Sequence, residues 1–216
     1  VTIDVYSDVA CPWCYIGKRR LDAALAQFGG KVDVNLRPYQ LDPGAPETAT
    51  PLRAHLERRF GPRVDAMLQH VSSVASGEGI TMDWAKAVSV NTRTAHRLLR
   101  LARLEYGPTV ERRLAEQLFA LHFTRGGNVA DHTELTAEAV AAGMDEQRVT
   151  AYLASAEGTE ELAEAFEDAR RRGIAAVPTF VFNGRHVVQG AQPAEVLADV
   201  LARVSAEEQA SAEPTS

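Results

Sequence analysis

The residues best suited to chemistry are the chain's two cysteines, which stand together in Cys11-Pro12-Trp13-Cys14. A strand-like segment ends just before them and a helix-like segment begins with them. A thiol at a helix N-terminus faces unpaired N–H groups and the positive end of the helix dipole, which favour a thiolate. Pro12 suits the first helical turn, where its missing N–H would have had no partner. Residues three apart share a helix face, so the two sulfurs can meet. Cys14 lies on the side of Leu21, which points inward, while Cys11 lies at the helix tip. That asymmetry assigns Cys11 as the attacking thiol and Cys14 as the resolving thiol of a disulfide-exchange pair.

Three plainer accounts compete. A structural disulfide here would close one of the shortest loops available, with little entropic benefit. A zinc site needs four ligands, and the six histidines of the chain lack the spacing of a ligand pair, so no metal is expected. Two inert cysteines at this spacing remain an alternative, because Cys-x-x-Cys alone is a short motif. The strand–helix junction favours redox chemistry over all three.

The elements that must position the pair can be read from periodicity. Residues 1–7 alternate as a strand does, and Lys31–Tyr39 alternate again. Between them Ile16, Leu21, Ala24, Leu25 and Phe28 recur at helical spacing until Gly29-Gly30. This opening is β-α-β, with the two strands parallel. Residues 40–51 form a proline-rich connector. From there to about residue 172 the pattern is helical, with Asn91 as an N-cap and a stripe of Ala95, Leu98, Leu99, Ala102 and Tyr106. Short helices are expected near 133–142, 146–155 and 159–172. Pro178–Phe182 then reads as a strand, Asn183-Gly184 as a tight turn and His186–Val188 as the return strand. Pro193 opens a last helix with Val196, Leu197, Val200, Leu201 and Val204 on one face. Residues 206–216 are small, polar or acidic, and a disordered tail is expected.

Other residues carry weaker signals. His96 lies off the apolar stripe of its helix; it and Asn91 are cleft candidates, though a solvent-facing or capping histidine is the commoner case. Asp4 and Asp8 flank the first strand. A buried acid near Cys14 would assist proton transfer, but Asp8 at a strand end reads more simply as a turn residue. Arg93, Arg97, Arg100 and Arg103 form a basic strip that reads as a solvated face. On its residues alone, Val177-Pro178 is a trans proline opening an edge strand.

The balance of 23 Lys+Arg against 29 Asp+Glu gives a net charge of −6, which argues against nucleic acid as the main partner. With 45 % apolar and 24 % charged residues the chain reads as globular, and no apolar run is long enough to span a membrane. No secretory signal pattern opens it, and two cysteines do not make a secreted disulfide scaffold, so a cytoplasmic location is expected.

Asp8-Val9-Ala10-Cys11-Pro12-Trp13-Cys14-Tyr15-Ile16-Gly17 resembles the active-site segment of the FrnE-like branch of the DsbA-like thioredoxin superfamily. Val177-Pro178-Thr179-Phe180-Val181-Phe182-Asn183-Gly184 is similar to that family's cis-proline strand, and Gln189–Pro193 to the turn after its hairpin. The resemblance extends over about residues 1–205. It implies an α/β chain with a thioredoxin fold, residues 1–40 and 158–205, carrying a large inserted all-helical domain, residues 41–157. It also implies that Pro178 is cis beside Cys11 and that the backbone of Val177 pairs with an extended substrate. Periplasmic oxidants of the superfamily carry His at the Trp13 position. Their oxidising strength is therefore not expected here, and Trp13 offers instead an aromatic surface for an apolar substrate segment or for packing.

The expected function is that of an enzyme, a thiol–disulfide oxidoreductase. Cys11 and Cys14 are catalytic, and Pro12, Trp13, Val177 and Pro178 bind substrate. No cofactor is expected beyond the redox-active pair, with a low-molecular-weight thiol as a conceivable co-substrate. The expected partners are protein or small-thiol substrates, with no nucleic acid and no membrane, and the chain is a monomer or homodimer. Two alternatives stand beside this. Related 2-hydroxychromene-2-carboxylate isomerases and kappa-class glutathione transferases share the layout, which admits a thiol-cofactor-dependent isomerase or transferase. The complete Cys-x-x-Cys speaks against that, since those branches tend to carry Ser at the Cys11 position. The other alternative is a non-catalytic, chaperone-like peptide-binding module.

Overall fold

A computed structural model describes residues 1–212. Four strands form one mixed sheet in the order β2-β1-β5-β6. β1 (Thr2–Ser7) runs parallel to β2 (Asp33–Pro38) and is joined to it by helix α1 (Pro12–Phe28). Gly29, in the left-handed conformation at φ 66°, terminates α1. β5 (Thr179–Phe182) lies antiparallel to β1 and to β6 (His186–Gln189). The turn between β5 and β6 places Asn183 at φ 47° and Gly184 at φ 67°, the conformation that Asn-Gly favours. Helix α9 (Ala194–Ala212) packs along α1. Ile3, Val5, Leu21, Val34, Phe180, Phe182, Leu197 and Leu201 fill the space between sheet and helices. Each such apolar side chain removed from water contributes about 1.5–3 kcal/mol.

Between β2 and β5 the chain is almost all helical. Thr50–Pro51 and Val88–Ser89 form a two-residue ladder, β3 with β4. The helices are α2 (Leu52–Phe60), α3 (Val64–Gly77), α4 (Arg93–Leu101), α5 (Pro108–Ala120), α6 (His132–Ala142), α7 (Glu146–Leu153) and α8 (Thr159–Arg171). The ends of α4 and α5 widen into π-type turns, Ala102–Tyr106 and Leu121–Arg125. A second core, built around Leu98, Leu114, Leu118, Leu135 and Val149, holds α4 to α7 together. Glu116 of α5 ties this layer to α1: it accepts from the Tyr15 hydroxyl at 2.9 Å and pairs with Lys18 and Arg19, each at 2.7 Å.

Several expectations need correction. The tail expected to be disordered from Ala206 is helical to Ala212, and residues 213–216 lie outside the described residues. Tertiary ties stabilise that extension. Glu207 meets His186 at 2.8 Å, and Glu208 meets the Val1 amino group at 3.1 Å and Asn183 at 2.7 Å. Val196, placed by periodicity on the buried face of α9, is 40 % exposed. The basic strip is a solvated face only in part: Arg93 is exposed, but Arg97 is buried and donates to the carbonyls of Tyr152, Ser155 and Glu157, and the half-buried Arg103 donates to Val34 O. The carbonyls that cluster at and just beyond the end of α7 attract a cation whose sequence context is only helical.

Candidate functional site

α1 begins at the thiols. Cys11 is the N-cap residue, in an extended conformation, and Pro12 occupies the first helical position. No side chain caps the helix and no acid lies in its first turn, so no carboxylate or capping oxygen competes with a sulfur for the positive end of its dipole. The two sulfurs are not bonded to each other. Cys11 and Cys14 are 3 % and 2 % exposed, so the helix tip is covered rather than open. Both thiols belong to a buried apolar cluster with Val71, Ala75, Ile80, Phe119 and Phe123, against which Trp13 and Val177 pack. Burial pushes the Cys14 thiol well above its ordinary value, the neighbouring Cys11 sulfur pushes it further, and Ser7 and the Asp8 N–H oppose both. Cys14 is thus held as a protonated thiol.

The second half of the site arrives from far along the chain. The Val177–Pro178 peptide is cis, and the Cys11 Sγ–H donates to Val177 O at 3.7 Å across a separation of 166 residues. Gly17 allows this approach. A Cβ at Gly17 would sit 2.9 Å from Pro178 Cγ and 3.2 Å from Phe180 Cζ. In the sequence Gly17 stands out only as part of a motif. The available signal was a glycine inside a helix, costly by about 1 kcal/mol against alanine and so retained for packing.

Asp8 is not a plain turn residue, and His96 neither faces solvent nor caps a helix. Both are buried, with His96 Nε2 3.2 Å from Asp8 Oδ1. Asp8 also accepts from the N–H groups of Leu41 at 2.8 Å and Ala10 at 3.3 Å, and its own carbonyl accepts from Cys11 N at 3.0 Å. Burial pushes Asp8 up, but the hydrogen bond and charge of His96, the Leu41 N–H and the Thr92 hydroxyl outweigh it and hold the carboxyl below its ordinary range. Asp8 is therefore ionised, and His96 Nε2 carries the proton between them. Asp4 pairs instead with Arg37 at 3.0 Å.

Asn91 is a staple, not a cleft residue. It accepts from Arg93 N at 2.9 Å and from Gln40, and donates to Pro43 O, which fixes the proline-rich connector to the start of α4. The N-cap residue itself is Thr92. Pro12 and Trp13 are half-buried, and the Trp13 ring lies 5.6 Å from that of His70 on α3. Among the described residues no group of three His, Cys, Asp or Glu side chains converges as a metal site requires. No helix among them is long and apolar enough to cross a membrane.

The sequence from residue 2 to 202 matches the family model of the DSBA-like thioredoxin domain. No curated protein matches the sequence. Among solved structures, a probable DsbA oxidoreductase from Streptomyces coelicolor is 32 % identical, with TM-score 0.88 over 100 % of this chain and 92 % of that one. A 2-hydroxychromene-2-carboxylate isomerase is 16 % identical, with TM-score 0.73 over 99 % of this chain and 100 % of that one. The cytosolic disulfide reductase DsbM from Pseudomonas aeruginosa, solved with glutathione, is 21 % identical, with TM-score 0.67 over 95 % of this chain and 100 % of that one. An intact Cys-x-x-Cys at the head of α1, with Val177 beside Cys11 just ahead of β5, agrees with the family match over residues 2–202, and the chain belongs to the DsbA-like thioredoxin family.

Proposed function

We propose that the protein is a thiol–disulfide oxidoreductase working through Cys11 and Cys14. The observation that carries this is Cys11 at an uncapped helix N-terminus, its sulfur 3.7 Å from the Val177 carbonyl. The Cys11 thiolate attacks one sulfur of a substrate disulfide and forms a mixed disulfide. The other substrate sulfur leaves as a thiolate and takes a proton. Cys14 loses its proton, attacks Cys11 Sγ and closes the Cys11–Cys14 disulfide, releasing the second substrate thiolate. The substrate gains two electrons and the protein loses two; the reverse sequence oxidises a dithiol.

Val177 and Pro178 border the attacked bond, Val177 offers its backbone to an extended chain, and Pro12 and Trp13 form the opposite rim. The ionised Asp8 anchors the turn that carries Cys11. The substrate class is a protein or small-thiol disulfide, and the compartment is the cytoplasm. The fold shared with DsbM supports testing glutathione as co-substrate.

The test is reduction of a model protein disulfide, with and without added glutathione, by wild type, Cys11→Ser and Cys14→Ser. Cys11→Ser should be inactive, and Cys14→Ser should accumulate a mixed disulfide on Cys11 visible by mass spectrometry. Full activity of Cys11→Ser would overturn the assignment.

A further inference from the structure

Arg20 stands on α1 three residues after Gly17, on the same helix face, the one that meets Pro178. Its side chain is only 18 % exposed and reaches two elements at once. Nε donates to Glu78 Oε1 at 2.6 Å, and Nη1 donates to Ala191 O at 2.5 Å. These partners lie 58 and 171 residues away in sequence. A guanidinium can hold both because its donors form a rigid planar fork, and charge-assisted bonds of this length are the stronger class.

Each partner leads to one flank of Cys11. Glu78 is the C-cap residue of α3. That helix brings Val71 and Ala75 into the apolar cluster that holds both thiols, and its His70 ring lies 5.6 Å from that of Trp13. Ala191 lies in the turn between β6 and α9 and packs against the same cluster. Its neighbour Gly190 donates to Pro178 O at 2.8 Å, and Val177 O accepts from the Cys11 Sγ–H. Arg20 thus joins α3 on one flank to the support of Val177–Pro178 on the other.

Neither flank is otherwise firmly held. α2, which leads into α3, buries no residue, and residues 190–192 belong to no strand or helix. Segments with few buried contacts open most readily. Exchange requires some opening, because the attacking sulfur must come within about 2.05 Å of its target to form a disulfide, and Cys11 is 3 % exposed.

We propose that Arg20 is a positioning residue for disulfide exchange: by clamping the end of α3 and the Gly190–Ala191 turn to α1, it sets access to Cys11 and keeps Val177 in place for an extended substrate. The proposal rests on Cys11 being the attacking thiol. Its first test needs no exchange activity, so failure of the clamp and failure of the exchange reading are distinguishable.

That test is the rate at which iodoacetamide alkylates Cys11 in the reduced full chain, read by peptide mapping, with circular dichroism and urea unfolding to establish that each variant is folded. Arg20→Ala removes both bonds and should speed alkylation by roughly tenfold. Arg20→Lys cannot span both acceptors with one ammonium; it should show a smaller rise, and it serves if Arg20→Ala does not fold. Lys18→Ala is the matched control. It removes ion pairs of the same helix, to Asp22 at 2.8 Å and Glu116 at 2.7 Å, and neither partner lies on α3 or in the turn. Its alkylation rate should stay within about twofold of wild type. The second test is turnover of a peptide disulfide with dithiothreitol as reductant. Arg20→Ala should raise KM by roughly tenfold and leave kcat within about twofold, since the thiols themselves are untouched. An unchanged alkylation rate in the Arg20 variants, or an equal rise in Lys18→Ala, would overturn the proposal. So would a peptide KM that stays at the wild-type value. If wild type turns over no disulfide, the exchange reading fails and the alkylation rates still decide the clamp.

Discussion

Replacing Gly17 by alanine tests whether the contact between α1 and the segment Pro178–Phe180 is as tight as the geometry requires. A new Cβ would lie 2.9 Å from Pro178 Cγ, whereas ordinary van der Waals contact begins at 3.4 Å, so one side must move by 3.4 − 2.9 = 0.5 Å. Neither side gives easily. Phe180 is fully buried and would itself be 3.2 Å from the new atom. Overpacking of this kind costs about 1–3 kcal/mol, from which about 1 kcal/mol of helix propensity is recovered, leaving a net loss of ~0–2 kcal/mol. Gly77, at the end of α3, supplies the opposite case. Nothing lies within 4 Å of its would-be Cβ, so Gly77→Ala should gain about 0.4–1 kcal/mol. Urea unfolding of both variants gives the two signs, and exchange kinetics give the functional effect. A half-ångström displacement of Pro178 relative to Cys11 should slow disulfide exchange by roughly tenfold, since misplacement on the order of 1 Å costs about 10²-fold. The reasoning is refuted if Gly17→Ala is as stabilising as Gly77→Ala and exchanges disulfides at the wild-type rate.

Three further outcomes follow from the site. In the reduced protein Cys11 should be alkylated before Cys14, because burial holds Cys14 protonated; faster labelling of Cys14, followed by peptide mapping, contradicts the order of attack. The depressed carboxyl of Asp8 stabilises the fold above its unfolded value of about 3.9 and loses that contribution as pH falls through the folded value. Asp8→Asn should therefore show a shallower loss of stability in acid than wild type, and parallel curves would exclude the effect. Glu111 has the opposite sign: its folded value, raised to about 8, lies above the ordinary 4.5, so it subtracts stability as pH rises between the two. Denaturation midpoints of wild type should fall over that window while those of Glu111→Gln stay level, and an equal fall in both removes Glu111 as the cause.

The sequence alone determined whatever depends on neighbours within a few residues. Helix α1 starts at Cys11 because Pro12 fits its first turn, and it stops at Gly29 because glycine takes the left-handed cap without strain. The Asn183-Gly184 turn and the buried stripe of α4 were legible for the same reason, and the Cys-x-x-Cys with its flanking motifs pointed to the family. Tertiary structure decided the rest. The burial of Cys11, the approach of Val177 over 166 residues and the meeting of Asp8 with His96 over 88 depend on which surfaces pack together. His96 and Arg97 share a helix with the apolar stripe but lie off it, and periodicity assigns such residues to solvent. They are buried because Asp8 and the carbonyls around residues 152–157 present complementary charge from other elements. The buried Glu111 is of the same kind: its Oε2 lacks a hydrogen-bond partner among the described residues and has Arg103 only at 3.7 Å, a placement fixed by how α5 packs and not by its neighbours in sequence.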